Sequence, residues 1–300
     1  MRTLKERYIN LFTDFGFKKL FGSEMNKELL IDFLNQLLDE NAGTIVSINF
    51  LSTEQLGRSQ AERKAIYDIY CENEKGEKFI VELQKAKQNY FKDRSVYYST
   101  FPIQQQAEKG SCNFELKAVY TIGILDFIFD ETKNEDKVVT KVKLTDIDTN
   151  AIFYDKLTYI YLEMPKFNKT ENELETQFDK WLYILKNLHQ LMGKPSNIQG
   201  EIFQKLFSES EIAMFSEDEY QEYEESLKHY RDLKNSLDTA YDDGKAEGKA
   251  EGKAEGKAEG KAEGVMNKAR ETALKMKSKK YPIDEISDIT GLSKEEIEKL

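Results

Sequence analysis

Cysteine, histidine and proline are scarce in this chain, and no long apolar run occurs. Two cysteines in 300 residues, Cys71 and Cys112, are too few for a disulfide framework and have no metal-ligand spacing. The two histidines, His189 and His229, stand far apart in helical sequence and read as ordinary helix residues rather than zinc ligands. No apolar segment approaches the length that spans a bilayer. Residues 1–10 are mostly charged and polar, without the pattern of a signal peptide. These absences lead us to expect a soluble chain in a reducing, cytoplasmic compartment with no membrane contact. Positive charge is also in deficit, 44 Lys+Arg against 55 Asp+Glu for a net charge of −11. That balance argues against bulk adhesion to nucleic acid. It does not exclude an enzyme acting on nucleic acid, because a metal site needs carboxylates and a basic groove can be local.

What is present supports a packed core: 39% of residues are hydrophobic and 12% aromatic. The length suits one sizeable α/β core plus an accessory region. Residues 13–40 are helical by spacing, with Phe17, Leu20 and Phe21, then Leu29, Leu30, Phe33, Leu34, Leu37 and Leu38, and Gly22-Ser23 as the break. Segments 44–51, 65–71, 78–84, 116–129, 137–144 and 152–162 read as strands rich in Ile, Val, Tyr and Phe. A helix is expected from about Gln88 to Gly110, with Pro102 kinking or splitting it. Helices then follow over residues 171–243, with Leu174, Phe178, Trp181, Leu182, Leu185, Leu188 and Leu191 as a core stripe, and Ser216 with Glu219 as a capping box. The division expected is 1–165, 166–243, 244–264 and 265–300.

The informative stretch is a hairpin. Ile66-Tyr67-Asp68-Ile69-Tyr70-Cys71-Glu72 and Lys78-Phe79-Ile80-Val81-Glu82-Leu83-Gln84 flank Asn73-Glu74-Lys75-Gly76-Glu77. A three-residue loop, Glu74-Lys75-Gly76, puts its left-handed residue at Gly76, a type I turn with a bulge. In that register Asp68 lies opposite Glu82, with Cβ atoms about 5 Å apart, and Gln84 is a diagonal neighbour on the same face. Tyr67, Ile69, Cys71, Phe79, Val81 and Leu83 form an apolar set on the other face. Two facing carboxylates repel unless a cation separates them, and Mg²⁺ takes one or two carboxylates plus waters and phosphate oxygens. A solvated, charged strand face is the plainer reading. The apolar strands around Asp68 and Glu82 speak against it.

At these residues the sequence resembles the PD-(D/E)XK nuclease superfamily, in which an Asp is followed on the next strand by Glu-x-Lys or Glu-x-Gln. The wider text is similar to its Rpn branch, recombination-promoting nucleases also labelled transposases. Thr13-Asp14-Phe15-Gly16-Phe17-Lys18-Lys19-Leu20-Phe21-Gly22 resembles the branch's opening Asp-x-x-Phe-Lys-x-x-Phe-Gly. Asp32-Phe33-Leu34-Asn35 follows, then Val81-Glu82-Leu83-Gln84, then Arg94, Tyr97, Tyr98, Gln105 and Gly110, then the strand at 122–127. The similarity covers roughly residues 13–241, and its weight lies in the ordered series rather than in any one motif.

The resemblance implies an α/β fold: a restriction-endonuclease-like mixed sheet flanked by helices, followed by an all-helical region. It implies a DNA endonuclease dependent on Mg²⁺, or on another divalent cation such as Mn²⁺, and associated with recombination or mobile elements. Asp68, Glu82 and the backbone carbonyl of Leu83 would hold the ion, and Gln84 would position the attacking water. Asp14 is either a further metal ligand or a helix N-cap. Lys87, Lys92 and Arg94 are candidate phosphate contacts, or simply a solvated helix face. Gln84 replaces the lysine of most superfamily members and supplies no positive charge. Lys85 is expected on the opposite face. The alternative is a non-catalytic DNA- or protein-binding module on the same fold.

Gly-Lys-Ala-Glu repeats five times over residues 244–263. Its period of four winds each residue type slowly around a helix. The segment reads either as a flexible tether or as a repeat helix whose Gly and Ala rows admit a partner helix and so a homo-oligomer. Residues 265–280 are basic, with Lys268, Arg270, Lys275, Lys277, Lys279 and Lys280 against Glu271. Residues 282–297 look like a small helical hairpin of helix-turn-helix type, with Gly291 at the turn and Ser293 with Glu296 as a capping box. Its second helix is too short and too acidic to read a major groove.

Overall fold

The computed structural model describes residues 6–38, 43–55, 64–107 and 115–300. Glu40, Gly110 and Cys112 lie outside them. The described residues divide into two compact units, Met1–Lys234 and Asn235–Leu300. None of their helices is long and apolar enough to cross a membrane.

The first unit opens on α1 (Asp14–Phe21) and α2 (Lys27–Leu37). Thr13 caps α1 by accepting the Gly16 N–H at 3.0 Å. A Cβ on Gly16 would strike the Asn10 carbonyl, which explains the glycine. The apolar stripe Leu29, Leu30, Phe33, Leu34 and Leu37 buries α2 in the core. The Asn35 amide brackets the main chain of Ile45, donating to its carbonyl at 3.0 Å and accepting its N–H at 2.8 Å. Asp32 accepts the Trp181 indole N–H at 2.6 Å. Several motif residues of the opening segment are thus tethers of the fold.

The main sheet holds β1 (Ile48–Phe50), β4 (Ile69–Asn73), β5 (Lys78–Gln84), β6 (Val119–Leu125), β7 (Val139–Thr145) and β8 (Ile152–Glu163), ordered β1-β4-β5-β6-β8-β7. A separate pair, β2 (Glu54–Gln55) and β3 (Ala65–Ile66), lies outside it. β5, β6 and β8 are mutually parallel, while β4 and β7 run against their neighbours. Helix α3 (Phe91–Gln106) joins β5 to β6, as a parallel pair requires a crossover.

Alternation along the strands buries both faces. Ile69, Cys71, Phe79, Val81, Leu83, Ile122, Ile124, Ile160 and Leu162 share one core with α1, α2, α4 (Gln177–Asn187) and α5 (Glu201–Glu209). The first turns of α6 (Glu217–Ser278) join that core through Tyr223 and Leu227. On the other face, Phe91 of α3 packs with Leu125, Tyr159 and Tyr161, and Tyr70 with Ile80 meets Tyr98 and Phe101.

Two expectations need correction. The strand expected at 65–71 is broken by a bend at Asp68, so β3 and β4 belong to different sheets. The bend reverses Tyr67, which packs with Tyr70 and Ile80 on the α3 face instead of with Ile69. Pro102 does not split α3, which runs through it. A proline at that position removes the N–H that would bond the Tyr98 carbonyl. The Tyr67 hydroxyl donates to that carbonyl instead, at 2.9 Å.

In the second unit the tetrapeptide repeat is helical, part of α6, and exposed throughout. Ala273 of α6, Ile286 of α7 (Ile283–Thr290), Leu292 and Ile297 of α8 (Lys294–Glu298) form a small core. Gly291 ends α7 at φ +71°, and Ser293 with Glu296 caps α8. The Lys277 ammonium donates to the Ile297 and Glu298 carbonyls at 3.0 and 3.1 Å, closing α8.

Tyr67→Phe should lower stability by about 1 kcal/mol, because a half-buried carbonyl loses its partner. The same change in a Pro102→Ala background should cost clearly less, since alanine restores the helical N–H. Urea unfolding of the four proteins measures the cycle, and equal costs in both backgrounds would refute this account of the proline.

Candidate active site

The hairpin fixes its register through Ile69 facing Val81, Tyr70 facing Ile80 and Cys71 facing Phe79. Gly76 takes φ +79°, a left-handed turn residue, and its N–H donates to the Asn73 carbonyl at 3.0 Å. The Asn73 side chain accepts the Lys75 and Glu77 N–H groups, each at 3.0 Å. Turn and register are those the sequence predicts, so Asp68 arrives beside Glu82 at the open end of the hairpin.

Two hydrogen bonds lock the carboxylates in place. Asp68 accepts the Leu83 N–H at 2.7 Å, and Glu82 accepts the Asp68 N–H at 3.3 Å. Both side chains are half-buried. Among the described residues neither makes an ion pair; Arg94, Lys18 and Lys85 act on them only from a distance. Burial pushes the Glu82 carboxyl up to about 8, helped by the charge of Asp68 and opposed by Arg94. Asp68 is raised too, mainly by burial, against the pull of the Leu83 N–H. Two carboxyls raised together, with no direct ion pair among the described residues, fit a divalent cation. No group of three or more His, Cys, Asp or Glu side chains that could hold a metal occurs among the described residues. An ion here would therefore draw on two carboxylates, main-chain oxygen and water, the donor set Mg²⁺ favours.

Gln84 is buried at the end of β5. Its Oε1 accepts from the Arg94 guanidinium, and its Nε2 donates to the Ala86 carbonyl at 2.9 Å. Guanidinium has no acceptor, so Arg94 fixes which way the amide faces. Arg94 also donates to Gln88 Oε1 at 2.7 Å and lies over the Phe91 and Tyr98 rings. Gly123 of β6 pairs with Glu82, where a Cβ would crowd Tyr161 and Leu125 at 3.1 and 3.2 Å.

Asp14 is the first residue of α1, and the capping role belongs to Thr13. Lys85 and Lys18 each bridge to Asp14 at 3.2 Å. Burial works against the charge of Asp14, but the two lysines outweigh it and hold the carboxyl below its ordinary value. Asp14 is close enough to raise Asp68. Lys87 pairs with Asp130, and Lys92 with Glu131 at 2.9 Å. The loop carrying both acids is pinned by buried Glu163, which accepts the Phe129 N–H at 2.8 Å and pairs with Lys166 at 3.1 Å. Sequence reasoning missed these pairings. Asp130 and Glu131 lie some forty residues beyond their lysines, and only the return of β6 beside β5 brings them together.

A model of PD-(D/E)XK nuclease family transposases matches residues 11–240 of this chain. No curated protein and no solved structure gives a significant match.

The raised Glu82 carboxyl has a consequence for stability. Between the ordinary carboxyl range and about 8 the folded state holds a proton that the unfolded state has released. Stability therefore falls as pH rises through that window. In EDTA, wild type should lose stability relative to Glu82→Gln between pH 5 and pH 8, by denaturant unfolding. A constant difference across that range would remove the shift.

Proposed function

Because the chain belongs to the PD-(D/E)XK nuclease family transposases, we propose that it hydrolyses DNA phosphodiester bonds at Asp68, Glu82 and Gln84. The supporting observation is the pair of half-buried carboxylates, without an ion pair among the described residues, locked by the hairpin's own N–H groups. A divalent cation held there, Mg²⁺ or Mn²⁺, would make water more acidic and draw charge from the phosphate oxygens. Asp68 and Glu82, with the Leu83 carbonyl, would form its protein ligands, and Asp14 adds negative charge beside them. Gln84 orients the attacking water through its fixed amide. Water oxygen bonds to phosphorus and one ester P–O bond breaks. The departing sugar oxygen takes up a proton, leaving one phosphate end and one hydroxyl end. Lys87 and Lys92, both exposed, can exchange their carboxylate partners for DNA phosphates.

Asp68→Asn and Glu82→Gln keep the shape of each side chain and remove its charge. Each should abolish Mg²⁺-dependent nicking of plasmid DNA while thermal melting shows a folded protein. Undiminished cutting by either variant would refute the site. A wild-type protein that binds DNA but never cuts it would identify a non-catalytic binding module.

The tail carries a separate reading. In the repeat, Lys stands four residues from Lys and Glu four from Glu, which weakens an isolated helix by about 0.2–0.5 kcal/mol per pair. Each glycine costs about 1 kcal/mol more relative to alanine. An exposed helix of this composition gains from a partner helix, and we assign association of subunits to it. A chain ending at Asp243 keeps the whole first unit and should retain cleavage, with lower molar mass per particle and weaker DNA binding than the full chain. Light scattering and DNA titration compare the two. Unchanged mass and affinity would reduce the tail to a tether.

A further inference from the structure

Arg94 of α3 lines a cavity with Glu82. We propose that Arg94 is a positioning residue for hydrolysis, fixing the Gln84 amide and supplying the permanent positive charge beside Glu82, and is not a phosphate contact. This deepens the nuclease reading and rests on it.

Three observations carry the inference. Both arms of the Arg94 fork are engaged within the chain: Nη2 donates to Oε1 of buried Gln84 and Nη1 to Oε1 of exposed Gln88. A residue reaching for DNA would leave that fork open to solvent. The Phe91 and Tyr98 rings, with centroids 5.5 and 5.6 Å from the guanidinium carbon, hold it in place. The third observation is location. Arg94 lines a small cavity with Glu82, Ser95, Tyr98 and Thr121, between α3 and the sheet. Its charge therefore faces Glu82 across that cavity, where a fixed charge acts more strongly than in open water. A guanidinium against Oε1 also polarises the amide, which makes the remaining Nε2–H a stronger donor toward a water or phosphate oxygen. Gln84 alone is neutral; Gln84 with Arg94 behaves as a cationic donor.

The test follows from where the charge sits. Single-turnover cleavage with Mg²⁺ reports the chemical step, and DNA affinity with Ca²⁺ in place of Mg²⁺ reports binding. Arg94→Met should slow cleavage about 100-fold while leaving affinity within about twofold. Arg94→Lys should recover part of the rate, because charge returns without the fork. Gln84→Lys alone should also be slow, since its ammonium would face the guanidinium. The double variant Arg94→Met/Gln84→Lys, with one cation restored at the strand end, should exceed both singles by about tenfold. Should Arg94→Met fail to fold, Arg94→Lys and Gln84→Lys carry the comparison. Affinity falling in step with rate would make Arg94 a phosphate contact, and a double variant no faster than the singles would show that charge is not its contribution. Either result overturns the inference while leaving the nuclease reading intact. A wild-type chain that cuts no DNA with Mg²⁺ or Mn²⁺ overturns that reading, and the inference with it.

Discussion

Asp68 and Glu82 are held together against their own repulsion, and the rest of the site is arranged around that contact. The restraint is main-chain: Leu83 N–H on Asp68, and Asp68 N–H on Glu82. Both donors act where the chain bends at Asp68, just before β4 begins. Beside the bend, Tyr67 is buried on the α3 face, where its hydroxyl serves the carbonyl freed by Pro102. A helix proline, a tyrosine and two carboxylates thus form one mechanical unit. Burial of this kind destabilises the charged forms of both carboxyls.

Much of this was legible before any coordinates. Turn composition set the hairpin register, since Gly76 is the residue that accepts a left-handed conformation at no steric cost. Richness in Ile, Val, Tyr and Phe marks β5 to the residue and most of β6, β7 and β8. The bend at Asp68 was not legible, because Ala65 to Cys71 reads as uninterrupted strand and the partner that breaks it, β2, is short. Nor was the continuity of α3. Proline predicts a missing hydrogen bond, but the replacement donor lies over thirty residues away in sequence.

The candidate site divides along the same line. Asp68, Glu82 and Gln84 are brought together by local geometry, and sequence places them. Arg94, Lys87 and Lys92 were grouped by charge and helix position alone. The structure separates them: Arg94 turns inward to Gln84, and the two lysines turn outward to Asp130 and Glu131. Side-chain direction on a helix depends on what the neighbouring strands present, and charge type carries no such information. Asp14 illustrates the reverse, since its lysine partners are close in space yet only Lys18 is close in sequence.

The pairing of Lys87 and Lys92 with the chain's own carboxylates bears on how ionic strength would be read in a binding experiment. A lysine that neutralises a phosphate displaces a counterion condensed on DNA, and each such event steepens the decline of affinity with salt. Here the same event sets Asp130 or Glu131 free, and a freed carboxylate gathers a cation from solution. Release on one side is offset by uptake on the other. If DNA engages these two lysines, the salt slope would count fewer contacts than such an interface makes, and a shallow slope would be compatible with close engagement of the phosphate backbone.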